Sequence, residues 1–134
     1  MSVGLNPWMY VDSIESNIDA QGAYSLKNLN NSSETTFWST GRTQEVGDYI
    51  QFSFLQPVAA RTFILDPGTR GNDYPAGLNI FTSNDGIDWT QQIVTIENNK
   101  TFSIPSTTYS FIRFELSEVK EKYWSINKLS FDNF

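Results

Sequence analysis

Histidine and cysteine are both missing from the 134 residues. Without imidazole there is no common general base, no favoured zinc ligand and no His-based triad. Without a thiol there is no disulfide, no thiolate nucleophile and no sulfur-bound metal. Proton transfer would fall to carboxylates such as Asp66 and Asp73. Nothing in their spacing demands that pairing, and Asp66, in Leu65-Asp66-Pro67-Gly68, reads more simply as the residue that turns a strand end. The sequence therefore argues against an enzyme and assigns no catalytic residue. The chemistry left is reversible: planar hydrogen-bonding groups on Arg70, Asn72, Asp73, Arg42 and Gln44, and rings on Tyr74 and Tyr123. An Arg fork donates two bonds to adjacent oxygens, and a Tyr ring offers an apolar face with a polar tip.

These residues fall between short stretches of strand character. Tyr49 to Leu55 alternates, with Ile50, Phe52 and Phe54 on one face and Gln51 and Ser53 on the other. Phe111 to Leu116 repeats the pattern, with Ile112, Phe114 and Leu116 opposite Arg113 and Glu115. Further strands are expected at Trp8 to Asp12, Arg61 to Asp66, Leu78 to Ser83, Ile93 to Ile96, Thr101 to Ile104 and Ile126 to Phe131. Helical periodicity is nearly absent; Gln21 to Leu29 alone suggests a helical turn or two. Asp85-Gly86 marks a tight hairpin, with Trp89 burying its ring just beyond it. Long loops are expected at Asn28 to Thr36, Ser39 to Gly47, Pro67 to Gly77 and Ser117 to Tyr123, and they hold all seven candidates. The pattern is that of one all-β sandwich domain over residues 1–134, with Trp38 plugging one end and Trp124 in its core.

Aromatics make up 15% of the chain and charged residues 18%, which excludes a disordered polymer. The formal net charge of −6 disfavours phosphate backbones and anionic lipid, so nucleic acid and membrane insertion are not expected. No apolar run reaches membrane-spanning length, and Met1 to Pro7 shows no signal peptide. Asn30, Asn31 and Asn99 each open an N-x-S/T sequon, relevant only to a eukaryotic secretory pathway.

Several short motifs recur in order: W-S-T-G at Trp38, G-D-Y-I-Q-F at Gly47, L-D-P-G at Leu65, D-Y-P at Asp73, S-N-D-G-x-x-W at Ser83, F-I-R-F at Phe111 and Y-W-S-I at Tyr123. In that order they resemble the coagulation factor 5/8 type C, or discoidin, domain, closest to the bacterial family 32 carbohydrate-binding modules. The resemblance runs from about Ala23 to Phe131. It implies a galactose-binding-like β-sandwich, a jelly roll, that binds ligand through loops at one end. A carbohydrate site needs an aromatic platform for the C–H face of a sugar and planar donors and acceptors for its hydroxyls. The candidates are accordingly Arg70, Asn72, Asp73, Tyr74, Arg42, Gln44 and Tyr123, with Arg70 and Tyr123 foremost. The resemblance also implies a calcium ion beneath the loop ahead of Trp38, held by a loop Asp and a Glu opening the last strand. Here that loop reads Leu29-Asn30-Asn31-Ser32, and Lys128 takes the Glu position. No metal and no cofactor are therefore expected. Lys128 either brings its ammonium to the vacated carbonyls or points to solvent.

The leading expectation is a non-catalytic lectin-like module for a neutral glycan, working outside the cell, on a cell surface or on a virion. Weak single-site binding would be reinforced in a homo-oligomer or beside a larger surface protein. The competing expectation is a protein-interaction or structural module of a surface appendage or phage particle on the same fold. An aromatic-floored pocket at the loop end favours the first, and a flat apolar patch the second. Arg61 and Arg113 read as sheet-face residues, and Lys120-Glu121-Lys122 as a solvated loop.

Overall fold

The computed structural model of the chain describes residues 6–18, 26–30 and 36–134. Two antiparallel sheets lie face to face. The first has the order β1-β3-β9-β5-β6, from β1 (Val11–Ser16), β3 (Tyr49–Val58), β9 (Tyr109–Leu116), β5 (Leu78–Ser83) and β6 (Trp89–Gln92). The second has the order β11-β4-β8-β7, from β11 (Lys128–Asp132), β4 (Thr62–Asp66), β8 (Thr101–Ser103) and β7 (Thr95–Ile96). Alternation in β3 and β9 sends Ile50, Phe52, Ile112 and Phe114 inward, all fully buried. They meet Phe63 and Phe131 from the other sheet, with Phe63 to Phe114 centroids 5.1 Å apart and Phe52 to Phe131 5.5 Å apart, both edge-on. Edge-to-face pairs of this kind add about 0.5–1.5 kcal/mol beyond their buried area.

A ribbon of β2 (Trp38–Gln44) and β10 (Lys120–Ile126) closes one end. This corrects the expected loops Ser39 to Gly47 and Ser117 to Tyr123, which instead pair across most of their length. Alternating hydrophobicity is missing there because the hydroxyls are satisfied inside. Thr40 Oγ1 accepts from Trp124 N at 3.1 Å and donates to Arg42 O at 2.6 Å. Ser39 Oγ lies 3.0 Å from Ser125 Oγ. Trp38 and Trp124, both fully buried, cross edge-on at 5.1 Å.

Other boundaries shift. Pro7–Tyr10 is a 3-10 turn capped by Asn6, whose side chain accepts from Trp8 N, so the first strand starts only at Val11. The stretch expected as one strand, Ile93 to Ile96, contributes only β7; β6 ends at Gln92, and the chain there passes between sheets. Leu26–Asn30 is a 3-10 turn, and the remainder of the expected helical segment lies largely outside the described residues, as do residues 31–35. The chain turns at Asp85-Gly86, with Gly86 at φ 78°, but the expected tight hairpin is a longer link of residues 84–88 between Ser83 and Trp89, and Trp89 is half-buried rather than buried. Arg113 serves the sheet face as expected, donating to Gln51 Oε1 at 2.8 and 2.6 Å and covering the Tyr49 ring at 4.1 Å. No helix among the described residues is long and apolar enough to cross a membrane.

Candidate functional site

The ends of β4 and β9 and the starts of β3 and β5 lie at the end of the sandwich closed by the ribbon. Gly47 N donates to Leu116 O, and Ser117 N to Gly77 O, which ties the chain links there together. The loop from Pro67 to Gly77 crosses this end. Pro67 and Pro75 are buried and anchor it, and turns from Arg70 N to Pro67 O and from Asp73 N to Arg70 O shape its middle. Asp66 caps the strand end as expected, accepting from Gly68 N at 2.9 Å.

Of the seven candidates, three are committed to the fold. Gln44, 2% exposed, donates to Tyr74 O at 2.9 Å and to Tyr123 O at 3.2 Å, and accepts from Ala76 N at 3.0 Å. It is an internal strut joining β2, the 67–77 loop and β10, because an amide in a dry site must use both its ends. Arg42 pairs with Glu45 at 2.7 Å and Asp48 at 2.8 Å, bracing the β2–β3 turn. Asp73 accepts from Ser125 Oγ at 2.6 Å, and its carbonyl accepts from Ser125 N, so it pins the loop across to β10.

The other four stay at the rim. Arg70 is exposed, its guanidinium 4.4 Å above the Phe37 ring. The Asn72 side chain is exposed and makes no hydrogen bond among the described residues. Tyr123 is 44% exposed. Tyr74 is half-buried, one ring face covered by Lys120 Nζ at 3.2 Å from its centroid. Two hollows open beside them. One, about 390 Å³, lies between Tyr74–Gly77 and Ile96–Asn99, with Phe102 in its lining. The other, about 430 Å³, is lined by Thr43, Gln44, Glu45, Val119, Lys120 and Glu121. Tyr74 lines the first, Lys120 the second, and the two side chains touch.

Sequence reasoning missed two residues. Lys120 is no solvated loop residue: its ammonium donates to Asn72 O at 2.9 Å and Tyr74 O at 3.1 Å, clamping the loop. Burial holds it below the usual lysine range, opposed by the Asp73 carboxylate and reinforced by Lys122. Its only signal was a charge in a mixed-charge run. Phe37 was masked by the stronger Trp38 beside it. Lys128 takes the solvent alternative: it is exposed on β11, opposite Asp66.

The architecture is that of a discoidin-type, galactose-binding-like β-sandwich. Residues 12–129 match the F5/8 type C domain, and the chain belongs to that family. Among curated protein sequences none matches the chain. Similar solved structures include CpGH89CBM32-5 from Clostridium perfringens in complex with GalNAc-beta-1,3-galactose, at 17% identity and TM-score 0.73 over 93% of this chain and 96% of that one. The CBM32 of AlyQ in complex with 4,5-unsaturated mannuronic acid is similar at 16% identity and TM-score 0.69, over 92% and 96% of the two chains. The CBM32-1 and CBM32-2 domains of Clostridium perfringens ZmpB match at 13% identity and TM-score 0.73 over 93% of this chain, which spans 35% of that one. At these identities the likeness is one of fold.

Proposed function

We propose that this domain is a non-catalytic carbohydrate-binding module whose ligand lies on the rim formed by Arg70, Asn72, Tyr123 and the edge of Tyr74. What supports this reading is the exposure of Arg70, Asn72 and Tyr123 on the 67–77 loop and on β10, which Gln44 and Lys120 tie together, with a hollow lined by Tyr74 beside them. Arg70 and Asn72 would serve adjacent hydroxyl pairs, and Tyr123 the apolar face of a sugar ring. Similar folds are described with both an amino sugar disaccharide and an unsaturated uronic acid bound. The net charge of −6 favours a neutral or cationic glycan over an anionic one. Asp73, Arg42 and Gln44 act behind the rim by holding its shape.

A shallow site of this kind binds weakly; a millimolar constant corresponds to about −4 kcal/mol. Useful retention would come from repetition, in an oligomer or beside an enzyme, in a secreted or surface setting. The test is a glycan array with the intact chain and with Arg70→Ala and Tyr123→Ala, folding being checked by circular dichroism. Each substitution is expected to weaken binding about tenfold, about 1.4 kcal/mol. Glycan binding that survives both substitutions refutes this site. Failure of the folded chain to retain any glycan refutes the class.

A further inference from the structure

On the side where the chain crosses between the sheets, each sheet ends in a strand with no strand beyond it among the described residues: β6 in the first and β7 in the second. Such an edge presents a row of unpaired N–H and C=O groups, and proteins commonly guard it with charge. The other two edges are guarded in this way, since Asp12 and Glu15 are exposed on β1, and Lys128 and Asp132 on β11. The β6–β7 side is not. Residues 89–96, Trp-Thr-Gln-Gln-Ile-Val-Thr-Ile, hold no charge, no Gly and no Pro. Ile93 is 77% exposed and Ile96 62%, and with Leu78 and Val94 they line a hollow of about 500 Å³.

We infer that this edge pairs with the same edge of a second copy of the chain, β6 against β6 and antiparallel, to give a twofold dimer. Two considerations select a second copy over another partner. Antiparallel pairing of a strand with itself is self-complementary, so one patch serves both subunits. Each copy also carries a net charge of −6, and two such chains meet at least cost where neither is charged. A basic partner would be drawn to the acidic surface instead. The twofold axis stands perpendicular to the sheet, so both second sheets fall on one side of it, and Ile93 and Ile96 of one copy approach those of the other. Asp88 and Glu97 bound the stretch, and antiparallel pairing brings one toward the other across the axis, which confines the contact to the eight residues between them. A stable complex uses about 20–30 residues a side, so a pair held by this short stretch forms reversibly. The rim lies at one end of the strands, so the two rims of the dimer point opposite ways. On the saccharide reading of the rim, one dimer joins two glycan surfaces rather than gripping one surface twice; the pairing itself does not rest on that reading.

The test uses the full chain and needs no glycan. Sedimentation equilibrium from about 1 µM to about 1 mM is expected to show a monomer–dimer equilibrium. Added salt is expected to strengthen it by screening the repulsion between two acidic copies. Hydrogen exchange of the amides of residues 89–96 is expected to slow as concentration rises. Ile93→Asp sets a carboxylate in the contact and is expected to weaken pairing at least about tenfold, with Ile96→Asp as the second variant and circular dichroism confirming each fold. Leu55→Asp, which adds the same charge at a position on β3 that is 69% exposed, is expected to leave pairing within about twofold of the unaltered chain. A chain that stays monomeric over the whole range overturns the inference and leaves the edge to another partner, as does growth beyond a dimer. So does a dimer that weakens with salt, that Leu55→Asp disrupts as much as Ile93→Asp and Ile96→Asp do, or whose concentration-dependent protection lies outside residues 89–96.

Discussion

Replacing Gln44 with Ala removes the strut behind the rim, and its effect can be sized from the bonds involved. The amide makes three hydrogen bonds, to Tyr74 O, Tyr123 O and Ala76 N, from a side chain almost without solvent contact. Tyr74 O keeps Lys120 as a donor, so the main losses are at Tyr123 O and Ala76 N. Each buried group left unpaired costs about 1–3 kcal/mol. Water entering from the neighbouring hollow offsets part of this. A net loss of about 3 kcal/mol follows, and for a domain of this size that lowers the melting temperature by about 10 °C. Gln44→Glu sharpens the test. At neutral pH its carboxylate would face two carbonyl oxygens, so the introduced carboxyl titrates above its unfolded value of about 4.3. Its destabilisation is therefore small below pH 4 and grows as pH rises toward neutrality. Urea denaturation of the three chains across pH 4–8 measures both effects. A loss under about 1 kcal/mol for Gln44→Ala, or a flat pH profile for Gln44→Glu, would refute the strut.

Two further outcomes follow from titrating groups. Asp85 accepts from the backbone of Asp88 and Ile87, which holds its carboxyl below the ordinary value. Its contribution is present above the unfolded value and is lost as pH falls below about 4, so Asp85→Asn should show a shallower acid limb in urea unfolding at pH 2–5. A limb unchanged from the unaltered chain would contradict this. Tyr109 is fully buried with its hydroxyl on Ala60 O, and burial raises its phenol far above the usual range. The folded chain keeps that proton after an unfolded one would lose it, so stability is present below about pH 10 and falls as pH rises above it. Tyr109→Phe should be less stable at neutral pH yet lose less on alkalinisation, as chemical denaturation at pH 8–11 would show.

The proposed rim depends on elements far apart in sequence meeting at one end. Lys120, Gln44 and Asp73–Ser125 stitch the 67–77 loop to the ribbon, which leaves Arg70, Asn72 and Tyr123 free to face solvent. Arg42 illustrates the opposite fate. Its charge could have served a ligand, but Glu45 and Asp48 lie within ion-pair distance and take both ends of its fork.

Period-two hydrophobicity is written in the chain itself, so the central strands β3 and β9, the buried tryptophans and the all-β class were legible before any coordinates. The Asp85-Gly86 turn and the Asp66 cap were legible for the same reason, since they act through bonds to near neighbours. The ribbon of β2 and β10 was not. Its buried positions include Ser39, Thr40, Gln44 and Ser125, whose polarity is cancelled by partners up to 86 residues away. The same distance effect separated strut from rim. Gln44, Asn72 and Lys120 are alike as polar residues in polar stretches, and only three-dimensional proximity decides which hydrogen bonds are spent inside and which remain for a ligand.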